Sequence, residues 1–108
     1  MVKVAEANHT VYTLRDPITF DVKYVGRTKN PKVRKLNHRL TPGKENLVFT
    51  PEKSKLNYPQ ARGLEQILFN KYGGIDKLLN KIRPIKLKNP NYSQYIKEAI
   101  KIFKQGEN

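Results

Sequence analysis

The chain has 108 residues and a net charge of +13 at pH 7, from 22 Lys and Arg against 9 Asp and Glu. A chain of this length forms one domain with a modest core, and without cysteine it forms neither a disulfide nor a thiolate metal site. The excess of positive charge predicts a polyanionic partner, nucleic acid above all. We expect no signal peptide and no membrane anchor, because residues 1–8 lack an apolar segment and no long apolar run follows.

Two alternating segments near the start of the chain predict an antiparallel hairpin. HTVYTL over 9–14 and the run over 20–25 are rich in β-branched and aromatic residues, and an Asp-Pro pair between them is typical of a turn. Tyr12 belongs to the first strand and Tyr24 to the second. Whether the two tyrosines share a face of the sheet depends on the register, which the sequence leaves open.

A turn and a first helix follow the hairpin. Asn30 can accept hydrogen bonds from the free N–H groups of the first turn, and Pro31 suits the first helical position. Three apolar residues then have the spacing of a core stripe, namely Val33, Leu36 and Leu40. Arg34 and His38, four residues apart, share a neighbouring face. A guanidinium, an imidazole and the phenol of the preceding strand are groups suited to binding and cleaving a phosphodiester.

A short third strand is expected after this helix. A turn cluster, TPGKEN, precedes LVFT at 47–50, and we expect Pro51 to stop the strand. The polar and basic residues over 51–57 show no period, which predicts a loop close to the nucleic-acid surface. The elements together predict a small α+β domain in which a three-stranded antiparallel sheet is flanked by helices.

Two longer helices are predicted in the second half of the chain. The first runs from Pro59 to about Tyr72 and is ended by a Gly-Gly pair, and the last begins at Asn91 or Tyr92. A short helical turn over 75–80 and a basic connector lie between them. The expected core stripes are Ala61, Leu64, Leu68 and Tyr72 in the first helix, and Tyr92, Ile96, Ala99 and Phe103 in the last.

Glu65 lies beside the apolar stripe of the first of these helices, where an unpaired carboxylate is costly. Two explanations stay open at this point. Arg62, three residues earlier, offers an ordinary ion pair along the helix. Alternatively, Glu65 is a metal-ligating carboxylate at the edge of the core.

Several short motifs follow one another in a recognisable order. TVY at 10–12 keeps only the tyrosine of a Gly-Ile-Tyr triplet, whereas YVG at 24–26 is a nearly intact Tyr-Ile-Gly triplet. Four single residues continue the pattern, namely Arg34, His38, Glu65 and Asn80. This ordered set, which covers residues 10–80, resembles the GIY-YIG nuclease superfamily.

A narrower resemblance is to the nuclease domains at the C-terminal ends of bacterial polymorphic toxins of the contact-dependent inhibition and Rhs types. The segments with that resemblance are VYTLRDP, KYVGRTKNP, ARGLEQ, LLNKI and KNPNY. The resemblance implies one nuclease domain over 1–108, with its motifs within 9–80 and a basic connector and helix over 81–105. It also implies secretion as part of a larger toxin, activity in the cytoplasm of a target cell, and an acidic immunity protein as partner.

The resemblance further implies roles for individual residues. Tyr12 would take the proton from the attacking water, Arg34 would neutralise the scissile phosphate, and Glu65 would hold a divalent cation, Mg²⁺ by preference. A tyrosine base is demanding because its usual pKa is about 10, and His38 is a credible substitute. The candidate catalytic residues are Tyr12, Tyr24, Arg34, His38 and Glu65, of which Glu65 is also the metal ligand. The candidate substrate-binding residues are Arg27, Lys32, Lys35 and Asn80.

The substrate and the class of protein have alternatives. The toxin resemblance favours tRNA or another RNA slightly over DNA, and on RNA the 2′-OH could attack without any metal. A DNA endonuclease of the same superfamily is the second interpretation. The third is a basic module that binds nucleic acid without cleaving it, although such a module gains nothing from a carboxylate at position 65.

Overall fold

A computed structural model describes residues 7–105, and within them the chain forms a three-stranded antiparallel sheet and four helices. The α+β class predicted from the sequence is therefore confirmed. No helix in the described range is long and apolar enough to cross a bilayer. The elements in chain order are β1 (His9–Arg15), β2 (Val22–Thr28), α1 (Pro31–Arg39), β3 (Val48–Leu56), α2 (Tyr58–Lys71), α3 (Gly74–Lys77) and α4 (Tyr92–Gln105).

The sheet has the strand order β2-β1-β3, so the first strand is the central one. In the β1–β2 pair Tyr12 lies opposite Gly26, and Leu14 lies opposite Tyr24. Because side chains alternate along a strand, this register places Tyr12 and Tyr24 on the same face of the sheet. The predicted hairpin is confirmed, and the register that the sequence left open is decided.

The third strand is longer than predicted, because Pro51 does not stop it. β3 continues to Leu56 and includes most of the expected loop over 51–57. It lies at the edge of the sheet, where a proline costs little because one side of the strand needs no partner. Thr13 of β1 also donates a hydrogen bond to Glu52 (2.7 Å), which ties the segment after the proline to the central strand.

The core lies on the sheet face opposite the two tyrosines, beneath α2 and α4. One buried cluster consists of Val11, Leu56, Ala61, Leu64 and Ala99, and a second of Val25, Phe69 and Leu78. The predicted stripe of α2 is only partly right, since Phe69 is buried while Leu68 and Tyr72 are half-buried. Both clusters thus lie on one face of the sheet, while Tyr12 and Leu14 are buried on the other face.

Helix α4 packs closely on α2 at Gly63, where a β-carbon would lie 2.6 Å from the carbonyl carbon of Tyr95 and 2.9 Å from Cβ of Ala99. Ala99 is fully buried, as predicted, and Ile102 packs against the same cluster. Phe103, expected in the core, is 48 % exposed. The contact face of α4 therefore follows 95, 99 and 102, an i, i+4, i+7 series.

The predicted core stripe of α1 is wrong. Val33, Leu36 and Leu40 are 51 %, 55 % and 74 % exposed, whereas His38 is the buried residue of this helix. At 100° per residue the three apolar positions lie roughly 140–160° around the helix from His38. Because His38 faces the sheet, the apolar stripe faces solvent.

Candidate active site

A short hydrogen bond joins α1 to the central strand. The hydroxyl of Tyr12 lies 2.6 Å from Nε2 of His38, and both side chains are buried. Local sequence fixes the start of the helix that carries His38, because the Asn30 side chain accepts from the backbone N–H of Val33 and Pro31 begins the helix. The two residues predicted to share catalytic work are therefore in direct contact.

Three aromatic rings are stacked along this face of the sheet. Tyr12 is stacked on Phe49 with ring centroids 4.4 Å apart, and on its other side it lies 6.3 Å from Tyr24. The edge of the stack needs a glycine, because a β-carbon at Gly26 would lie 2.6 Å from Cζ of Tyr12. The glycine of the YVG triplet thus makes room for the phenol of Tyr12.

Positive charge surrounds the pair. Nζ of Lys44 lies 4.1 Å from the ring centroid of Tyr24, and Arg34 is exposed on the same side of α1 as His38. Burial and, to a smaller degree, the charges of Lys44 and Arg34 lower the pKa of His38 to about 4. Lys44 itself has a lowered pKa, because it is partly buried and lies near the charges of Lys81 and Arg34.

Lys44 is a site residue that the sequence analysis missed. It belongs to the TPGKEN segment, whose composition indicates only a turn. Backbone hydrogen bonds from Lys44 to the carbonyl of Thr41 and from Leu47 to the carbonyl of Lys44 form this turn. Nothing in the local pattern shows that the turn folds back toward β2, so no sequence signal could have found this residue.

Glu65 is paired with Arg27 of strand β2, and not with Arg62 along the helix. Nε of Arg27 lies 3.3 Å from Oε1 of Glu65, and the carboxylate is 12 % exposed. Arg62 instead donates to the hydroxyl of Tyr58 (2.8 Å) and to the carbonyl of Pro84 (3.0 Å). Burial raises the pKa of Glu65 to about 7, although the nearby arginines oppose the shift.

A cleft of about 200 Å³ brings most of the predicted residues together. Its walls include Tyr12, Tyr24, Gly26, Arg27, Arg34, Glu65 and Asn80, with Ile82, Arg83 and Pro84 of the connector. Lys32 is exposed on α1 and is not among the lining residues, and Lys35 lines a neighbouring cavity together with His38. The cleft contains one carboxylate, one phenol pair and several guanidinium groups.

Asn80 holds the edge of β2. Its Oδ1 accepts from the backbone N–H of Val25 (3.1 Å) and its Nδ2 donates to the carbonyl of the same residue (2.8 Å). The N–H of Leu79 also donates to the carbonyl of Lys23 (2.7 Å). Both the oxygen and the nitrogen of the Asn80 side-chain amide are thus bonded to the backbone of Val25, so the direct contribution of Asn80 is to fix the cleft wall.

The protonation states define what the cleft can do at neutral pH. Burial and the neighbouring Tyr24 raise the pKa of Tyr12 above 10, so Tyr12 is a neutral phenol. His38 is a neutral imidazole and can accept a proton. Among residues 7–105 no three His, Cys, Asp or Glu side chains are grouped so that they could hold a metal ion, and Glu65 is the one carboxylate that lines the cleft.

Comparisons with known proteins add no family assignment. No protein-family model, no curated protein and no solved structure matches the chain significantly. Any functional conclusion therefore depends on the contacts and charges of the cleft.

Proposed function

We propose that this domain is an endonuclease of the GIY-YIG type that cleaves phosphodiester bonds in nucleic acid. The observation that supports this most strongly is the 2.6 Å hydrogen bond between Tyr12 and His38 beside a cleft lined by Arg34 and Glu65. A module that only binds nucleic acid needs surface cations. It does not need a buried phenol–imidazole pair, nor a carboxylate facing the polyanion.

The pair is arranged for a proton relay. In the tautomer protonated on Nδ1, the Nε2 atom of His38 accepts the hydroxyl hydrogen of Tyr12. As Tyr12 passes this proton to His38, its oxygen can take the proton of the attacking water or 2′-OH. No free phenolate is then required, and the proton ends on His38, whose lowered pKa makes it a weak acceptor in the absence of substrate. Because a bound phosphate raises the pKa of His38, the substrate itself makes the imidazole a better acceptor.

Arg34 and Lys44 are the groups that would bind the scissile phosphate. Arg34 lines the cleft and presents a planar fork, and Lys44 extends over the ring of Tyr24. Such fixed charges stabilise the additional negative charge of a pentavalent transition state. Lys32 and Lys35 continue the positive surface along α1 and would contact neighbouring phosphates.

Glu65 is the residue that would hold a divalent cation. It is the one carboxylate among the lining residues of the cleft, and a single carboxylate suits Mg²⁺, which keeps most of its waters. When bound, the ion would neutralise phosphate charge and stabilise the leaving oxygen. Arg27 is paired with the same carboxylate, so a cation would have to compete with Arg27 for Glu65.

The biological setting follows from the same proposal. The resemblance to polymorphic-toxin nuclease domains supports a domain that cuts tRNA or another RNA as the toxic part of a larger secreted protein, in the cytoplasm of a target cell. The producing cell then needs an acidic immunity protein, and opposite charges make that association fast. DNA is the alternative substrate of the same chemistry.

The test is cleavage of total bacterial tRNA and of plasmid DNA, each with Mg²⁺ and with EDTA. We expect Tyr12→Phe, His38→Ala and Arg34→Ala to lower the rate by about 10²-fold or more. Two variants on α4 serve as controls: Tyr95→Phe removes a phenol hydroxyl and Lys97→Ala removes a positive charge at positions that do not line the cleft. Circular dichroism checks that each variant folds.

Cleavage by the wild type that persists in folded Tyr12→Phe and His38→Ala would refute the relay. Binding without cleavage, on either substrate and with added cell extract, would instead support the non-catalytic module.

A further inference from the structure

A second cavity, of about 410 Å³, lies on the other side of His38. It is a half-open depression bordered by the last turns of α1, by the segment between α1 and β3, and by the first residues of β3. Its volume is within the range of roughly 300–1,000 Å³ that small-ligand sites occupy. The proposed cleavage chemistry does not use it.

The walls of this cavity combine three kinds of group. Phe49, Val48 and Leu14 supply an apolar and aromatic wall. Glu45 and Asn46, both exposed to solvent, supply hydrogen-bonding side chains. An aromatic ring, an amide and a carboxylate are the groups with which proteins stack on a nucleobase and pair with its edge.

The cavity is also adjacent to the cleft. His38 lines the cavity and is bonded to Tyr12, which lines the cleft, and Phe49 in the cavity is stacked on the same tyrosine. A ligand in the cavity is therefore separated from the proposed scissile phosphate by one hydrogen-bonded pair of side chains. Lys35 and Arg39, one helical turn apart, add positive charge at the rim.

We propose that this cavity receives the unpaired base of a nucleotide that flanks the scissile phosphate. The inference rests on the proposed nuclease function and adds to it the class of substrate. A base in a duplex is held in its stack and cannot enter a cavity of this kind, whereas a base in a loop or single strand can. The substrate is therefore a single-stranded or looped segment, read at one base by Asn46 and Glu45.

The binding test uses nucleoside 5′-monophosphates, which contain a base and a phosphate but no bond for the enzyme to cut. We titrate each of the four into isotope-labelled protein and follow the side-chain amide of Asn46 and the ring of Phe49 by NMR. Ribose 5-phosphate, which lacks the base, is the control ligand, and Lys97→Ala is the control variant.

We expect the Asn46 and Phe49 signals to shift with at least one nucleotide and not with ribose 5-phosphate. Asn46→Ala should then weaken binding of the preferred nucleotide by about fivefold or more, as expected for the loss of a contact to a base edge. Equal shifts with ribose 5-phosphate, or no shift with any nucleotide, would overturn the proposal whether or not the protein cleaves nucleic acid.

The cleavage test maps the cut positions of wild-type protein, Asn46→Ala and Glu45→Gln on one RNA with a stem and a loop. We expect the wild type to cut in the loop next to a preferred base, and the variants to show a reduced preference for that base. Cuts within the stem, or an unchanged preference in both variants, would refute the base site while leaving the nuclease proposal intact. Nucleotide-specific shifts in a protein that never cleaves nucleic acid would instead support a base-binding cavity and contradict the nuclease proposal.

Discussion

Glu65→Gln tests whether the ionised carboxylate of Glu65 lowers the stability of the folded state. Burial raises the pKa of this carboxyl group from 4.5 to about 7, so the folded chain binds its proton more tightly than the unfolded chain does. Between these two pH values the folded state holds more protons, and the free energy of unfolding falls as the pH rises. Above pH 7 the ionised carboxylate costs about 3 kcal/mol relative to its state at pH 4.5.

Replacing the carboxyl group by an amide of the same shape removes this titration. The free energy of unfolding of the Gln variant, minus that of the wild type, should therefore rise by about 3 kcal/mol between pH 4.5 and pH 8. The attraction of Arg27 for the carboxylate already opposes the rise of this pKa, so the loss of that ion pair needs no separate correction.

The assay is urea unfolding of both proteins in steps of pH, with Glu98→Gln on α4 as the matched control at a surface ion pair. A difference curve that is flat, or that falls with pH, would show that the reasoning about burial is wrong. If Glu65→Gln is more stable at pH 8 but no longer cleaves nucleic acid, the carboxylate is retained for activity at the expense of stability.

Three further changes test the way in which the site is built. Gly26→Ala should lower the free energy of unfolding by about 1–3 kcal/mol in urea, because its methyl group would overlap the ring of Tyr12. Asn80→Ala should lower the free energy of unfolding by about 2 kcal/mol and speed hydrogen exchange at the amide of Val25, since two hydrogen bonds to that residue are lost. Unchanged exchange at Val25 would contradict these hydrogen bonds. Leu36→Ser should change the free energy of unfolding by no more than about 0.5 kcal/mol, because the side chain is 55 % exposed. A large loss of stability would instead support the prediction from sequence that Leu36 packs in the core.

Much of the fold could be predicted from local patterns because local physics decides it. Alternation of β-branched and aromatic residues identified the hairpin, and the Asn-Pro start of α1 was confirmed by the hydrogen bond from Val33 to Asn30. The end of α2 before two glycines also follows from local conformational preference. The same local patterns placed Tyr12 and Tyr24 on strands and Arg34 and Glu65 on helices, as the structure has them.

Packing direction was not available from the sequence. An apolar stripe usually faces the core, and for α1 this expectation failed because the pairing of Tyr12 with His38 turns the helix the other way. The extension of β3 through Pro51 also depends on its position at the sheet edge, which is a property of the whole sheet.

The sequence by itself determined the charge, the elements and the chemical groups that one domain could bring to a phosphate. Only the tertiary structure decided the partners of those groups: His38 for Tyr12, Arg27 instead of Arg62 for Glu65, and Lys44 beside Tyr24. The physical reason is that each of these contacts joins residues of different elements. Such contacts depend on strand register and helix rotation, which are set by the packing of the whole chain and not by any local pattern.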